Sequence, residues 1–120
     1  MQLKWFSSVR YKPTGSRFLL LLSEENYFIV ERDGDVQDCP LPLSDIVVKP
    51  GTYQHYNNEK FYVVVGMAYA FTKEWTGWCV VYHPSCEATY WAQTPEDFTE
   101  TVTNKSGQRL ARFSQFPIGS

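Results

Sequence analysis

Apolar and polar positions along the chain follow a period of two far more often than a helical period, which predicts strands. From Lys60 to Ala70, Phe61, Val63, Val65, Met67 and Tyr69 share one face, and Tyr62, Val64, Gly66, Ala68 and Ala70 share the other. Apolar residues on both faces mark a strand covered on both sides, and so a central one. Gly66 within it marks a bulge or a close backbone approach. Upstream, Arg17 to Leu22 and Tyr27 to Arg32 are separated by the polar Ser23-Glu24-Glu25-Asn26, the pattern of a β-hairpin. Asp33-Gly34 tolerates the positive φ of a tight turn and is expected to launch a short strand near Asp35 to Asp38. Further strands are expected over Trp75 to His83, about Ala88 to Ala92, and about Arg109 to Phe113, the last entered through an Asn104-Lys105-Ser106-Gly107 turn.

One helical signal interrupts this series. Thr94-Pro95-Glu96-Asp97 supplies an N-cap hydroxyl, a proline at the first helical position and two acids in the first turn. Phe98 and Val102 follow at a spacing of four, so a short helix is expected from Pro95 to about Thr101. Cys39-Pro40-Leu41-Pro42-Leu43 cannot lie inside a sheet, because each proline lacks a ladder donor, and Pro50-Gly51 interrupts again. The expected organisation is all-β with one short helix. An N-terminal β-sheet lobe spans 1–48, a second β lobe spans 51–114, and a tail follows from 115 to 120.

Composition sharpens this picture in one region. Of the 20 Phe, Tyr and Trp residues, 12 fall between Tyr53 and Phe98, where Lys60 and Lys73 are the only cations. That is more ring surface than one small barrel core needs, and rigid amphipathic rings are enriched at interfaces. Charge is distributed unevenly. Residues 1–23 carry Lys4, Arg10, Lys12 and Arg17 with no acid, whereas residues 24–52 carry seven acids against Arg32 and Lys49. Cross-strand pairing between the two segments, or a dipolar surface that steers a charged partner, would each use this asymmetry. The longest apolar run, Phe18 to Leu22, is far short of the roughly 20 residues that span a bilayer, so no membrane association is expected. Three cysteines make a poor disulfide framework, and the expected compartment is the cytoplasm.

Few catalytic patterns survive inspection. Cys79, His83 and Cys86, with His55 as a fourth ligand, form the most tempting metal set. Along a strand, however, Cys79 and His83 would stand roughly 13 Å apart, so no metal is expected. Cys86 near His83 or His55 lacks an orienting acid, and the scattered glycines form no phosphate-cradling loop. Nucleic-acid binding needs a basic stripe, and the ring-rich segment is acidic, so that partner is not expected.

Tyr53-Gln54-His55-Tyr56, Phe61 to Ala68, Val80-Val81-Tyr82, Tyr90-Trp91, Phe98-Thr99-Glu100-Thr101-Val102 and Arg112-Phe113 form an ordered series of short blocks. The series resembles the bacterial and phage domain family of unknown function numbered 1653, over about residues 51–113. That resemblance implies a small SH3-like β-barrel with no settled activity. Two positions depart from the family pattern: His83 stands in place of an arginine, and Gln93-Thr94 replaces Arg-Pro after Trp91. More weakly, Trp5 to Val30 resembles the opening of another family of unknown function common in phages. Together the resemblances imply a phage or mobile-element accessory protein.

The resulting expectation is a hairpin sheet packed on an SH3-like barrel, acting without turnover or cofactor. Tyr53, His55, Tyr56, Trp75, Trp78, Tyr82, His83 and Trp91 form the expected contact surface, with Arg112 as the cation at its edge. The expected partner is a host protein, bound or blocked, and a homodimer is one way to cover the rings. One alternative is a nucleotide-like small molecule, stacked between rings with its phosphate on Arg109 or Arg112. A second is a small hydrolase that uses Cys86 or His83.

Overall fold

The computed structural model describes residues 3–23, 28–31, 46–56, 60–72 and 76–115. Strands β1 (Leu3–Tyr11), β2 (Arg17–Ser23) and β3 (Phe28–Glu31) form one antiparallel meander. Strands β5 (Phe61–Phe71), β6 (Thr76–Pro84) and β7 (Tyr90–Gln93) form a second. Two parallel seams join the meanders, β3 with β5 and β7 with β1, and the sheet closes on itself as a six-stranded barrel. Closure leaves neither meander with a free long edge. The N-terminal strands are thus staves of the barrel itself, rather than a separate sheet laid against it.

The all-β class with one short helix holds, and so do most local expectations. The long central strand is β5, and its ladder to β6 shifts register between Val64 and Gly66, where a bulge was expected. Below the bulge β5 pairs with β4 (Gly51–His55), and above it with β3, so the glycine separates two different neighbours on one edge. Helix α1 (Pro95–Phe98) is a single turn whose Thr94 hydroxyl accepts from the Asp97 amide. It ends earlier than expected because the Thr99 hydroxyl donates to the Pro95 carbonyl and Val102 is claimed by a hairpin. That hairpin is β8 (Thr101–Thr103) with β9 (Arg109–Ala111), turning at Asn104 to Gly107, where Gly107 takes φ +82°. Gln115, expected to begin the tail, instead ends β10 (Phe113–Gln115), which pairs with β4. The Asp33-Gly34 turn, the strand after it and the proline run lie outside the described residues.

Two cores result from the alternation. Inside the barrel Val9, Leu20, Phe28, Val30, Ala68, Ala70, Cys79, Val81 and Ala92 pack together. On the outer face of β5 and β6 a second cluster joins Val48, Tyr53, Val64, Met67, Val80, Tyr82 and Phe98. The both-sided burial of β5 comes from these two layers, and the second layer consumes many of the surplus rings. Among the described residues no helix is long and apolar enough to cross a membrane.

Candidate functional site

Strand alternation sends Tyr90 and Ala92 of β7 towards the barrel interior and Trp91 and Gln93 to the opposite face. Tyr82 of β6 lies opposite Trp91 in the ladder, and Tyr62 of β5 pairs beside it with Pro84. His55 of β4 and Phe113 of β10 are register partners that come over this surface from the other side. Between these layers lies a cavity of about 270 Å³, lined by the rings of His55, Tyr62, Tyr82, Trp91 and Phe113 with Gln93, Arg112, Lys12 and Pro84. Edge-to-face and tilted contacts brace the rings. Phe113 meets His55 at 5.0 Å, Tyr62 at 5.3 Å and Tyr82 at 5.9 Å, and behind it Phe98 stacks in parallel at 4.3 Å.

Two polar groups in this wall have unused donors. Gln93 is 4% exposed, and its Nε2 has no hydrogen-bond partner among the described residues. A buried, unmatched amide donor costs about 1–3 kcal/mol, so native folds rarely keep one without a reason. Arg112 Nε is buried and unmatched in the same way. The rest of that residue is held firmly. Its Nη2 donates to Glu100 Oε2 at 2.5 Å, its amide donates to the Glu100 carbonyl, and its carbonyl accepts from the Tyr56 amide. Glu100 and Arg112 belong to two separate sequence blocks, and the fold joins them as an ion pair that aims the guanidinium.

Lys12 arrives from the far end of the chain. The parallel β1–β7 seam pairs Tyr11 with Ala92, and the Lys12 amide donates to the Ala92 carbonyl at 2.7 Å. Its ammonium consequently lies 4.9 Å from the Trp91 ring centre, a cation–π arrangement. Burial lowers the His55 pKa below its ordinary value, and the charges of Arg112 and Lys12 lower it further. The Tyr82 phenol is pushed well up by burial and by Tyr62, with Arg112 opposing. The lining contains two cations and no acid.

The His55 shift has a consequence for stability. Its folded pKa is depressed, so its contribution is present above the unfolded value of about 6.5 and is lost as pH falls through the folded value. Thermal unfolding from pH 7.5 down to pH 5 is therefore expected to show a loss of stability that His55→Gln reduces. An identical pH profile for both proteins would contradict this.

Of the residues singled out from the sequence, the structure gathers His55, Tyr82, Trp91 and Arg112 around the cavity, and exposed Tyr56 is tilted against His55 without lining it. Tyr53 belongs to the outer core. It is buried against Phe98, and its hydroxyl donates to the Lys49 carbonyl. Trp78 is half-buried edge-on against Tyr69. His83 shares the barrel-facing alternation of Cys79 and Val81, meets Tyr90, and places Nδ1 at 2.7 and 2.9 Å from the Pro84 and Glu87 carbonyls. Trp75 lies outside the described residues. Arg109 is exposed on β9 and does not line the cavity. Cys79 is buried with its thiol pKa raised, and Cys86 is exposed. Among the described residues no cluster of three or more His, Cys, Asp and Glu could hold a metal. Lys12, Tyr62, Gln93 and Phe113 line the cavity and were not among the contact residues expected from the sequence.

A family model described as "Protein of unknown function (DUF1653)" matches residues 51–115. The chain belongs to the DUF1653 family. No curated protein and no solved structure matches it. The DUF1653 span supplies every residue of the cavity wall except Lys12, and half of the barrel staves.

Proposed function

We propose that this DUF1653 protein is a non-enzymatic binding module that takes a small, flat, acceptor-bearing molecule into the ring-lined cavity. One observation carries the reading: five rings, Pro84, the nearly fully buried Gln93 and the cations Lys12 and Arg112 enclose one cavity of about 270 Å³. Such a recess discriminates by shape and by where its occupant places acceptors against the few polar groups of the wall. The volume lies near the low end of the roughly 300–1,000 Å³ common for ligand sites, which favours a compact molecule. Protein binding through an aromatic surface has less support, because Tyr53 and Tyr82 are buried in the fold.

Gln93→Leu separates stability from binding. Removing the unmatched donor is expected to raise the stability of the ligand-free protein by about 1 kcal/mol in urea unfolding. The same change is expected to abolish retention of a small molecule from a bacterial extract, followed by mass spectrometry and thermal shift. A Gln93→Leu protein that is less stable and retains the same compound would remove the reading. Capture of a single protein partner, lost with Trp91→Ala and unaffected by Gln93→Leu, would replace it with a protein interface. A phage or mobile-element accessory role rests on sequence resemblance alone, and gene neighbourhoods devoid of such elements would remove it.

A further inference from the structure

The cavity wall is graded in depth and in chemistry. At its inner end stands the buried Gln93 amide, next to Trp91 and Tyr82. At its outer end stand Lys12, which is exposed, and Arg112, whose side chain is one-third exposed. The polar side chains of the wall besides the phenols and the imidazole are the Gln93 amide and the two cations, so the occupant suited to it brings acceptors. Flat ring walls suit a planar body, because any π-face stacks on Trp or Tyr. The two outer groups are cations, and no carboxylate lines the cavity. Glu100 engages Arg112 from outside through Nη2 and leaves Nε unmatched. The depression of His55 by both cations is an independent sign that their fields overlap there.

We propose that the occupant is a nucleoside monophosphate, with its base in the ring-lined recess beside Gln93 and its phosphate between Arg112 and Lys12 at the rim. This rests on the binding reading above and adds the ligand class. A base supplies both the flat faces and an in-plane carbonyl or ring-nitrogen acceptor, and a phosphate supplies the anionic acceptors that a guanidinium and an ammonium grip. The small volume and the two rim cations suit one nucleotide rather than a strand. Lys12 lies outside the family-matched span, so the N-terminal meander contributes a specificity-determining residue to the site.

The test uses the full chain titrated with the four ribonucleosides and their 5′-monophosphates, read from the Trp91 indole and His55 ring NMR signals. At least one monophosphate is expected to bind about tenfold more tightly than its nucleoside, the worth of one charge-assisted contact. Lys12→Gln is expected to erase most of that preference, and Lys12→Arg to retain it. Added salt is expected to reduce monophosphate binding more than nucleoside binding. Equal affinity of nucleoside and monophosphate would overturn the phosphate seat and leave the cavity reading standing. The nucleotide assignment also falls, with the cavity reading intact, if no member of the panel moves these signals while the extract still yields a retained compound. Absence of any retained compound would sink both. An oligonucleotide that binds more tightly than every monophosphate would make single-stranded nucleic acid the ligand instead.

Discussion

Phe98→Ala is expected to destabilise the protein by about 4 kcal/mol in urea unfolding, towards the upper end for deletion of a buried aromatic side chain. Phe98 is 1% exposed, and three rings close around it. It stacks on Phe113 at 4.3 Å, meets Tyr53 edge-on and packs tilted against Tyr82, both at 5.5 Å. The one-turn helix α1 exists to present this ring. A threonine cap and a first-turn proline fix four residues that are too few to be stable alone, and the stability of the turn comes from what Phe98 buries. Phe113 and Tyr82 also line the cavity, so removing the ring behind them should weaken ligand binding as well. Phe98→Leu, which keeps most of the volume, should cost much less. A loss below about 1 kcal/mol for the alanine variant would mean that the outer core can collapse around the gap.

Gly66→Val is expected to cost about 3 kcal/mol, from strain at a φ that L-residues rarely adopt together with overpacking. Gly66 has φ +154°, and a Cβ there would stand 3.0 Å from Phe28 Cε2 and 3.4 Å from Cδ2. Phe28 is itself buried and packs on Phe6 at 4.8 Å, so its ring has little room to retreat. Shortening the obstacle with Phe28→Leu should recover the steric part and leave the strain. The double variant is then less destabilised than the sum of the two single ones, and strict additivity would refute the clash.

Several of these features could be read from residue order because their causes are local. The both-sided apolar pattern of β5, the glycine at its bulge, the Thr94-Pro95 helix start and the Asn104 to Gly107 turn each depend on neighbours within a few residues. The site was only partly readable. His55, Tyr82, Trp91 and Arg112 could be picked out as rings and a cation, but whether a ring enters the core or the cavity depends on which layer covers its strand. Tyr53 and Tyr62 face each other across the β4–β5 ladder, and one became core while the other became cavity wall. Lys12 is brought to the wall that holds Trp91 and Gln93 by a parallel seam, and nothing in the local sequence encodes that pairing.

That seam joins Tyr11 to Ala92, so Lys12 reaches its place only after a chain segment of some 80 residues has closed. Non-local pairings of this kind form slowly, because the loop entropy must be overcome before the contact forms. A ligand held between Lys12 and the rest of the wall would bind only the closed barrel. By mass action it would hold the two meanders together, and a partly opened barrel would release it.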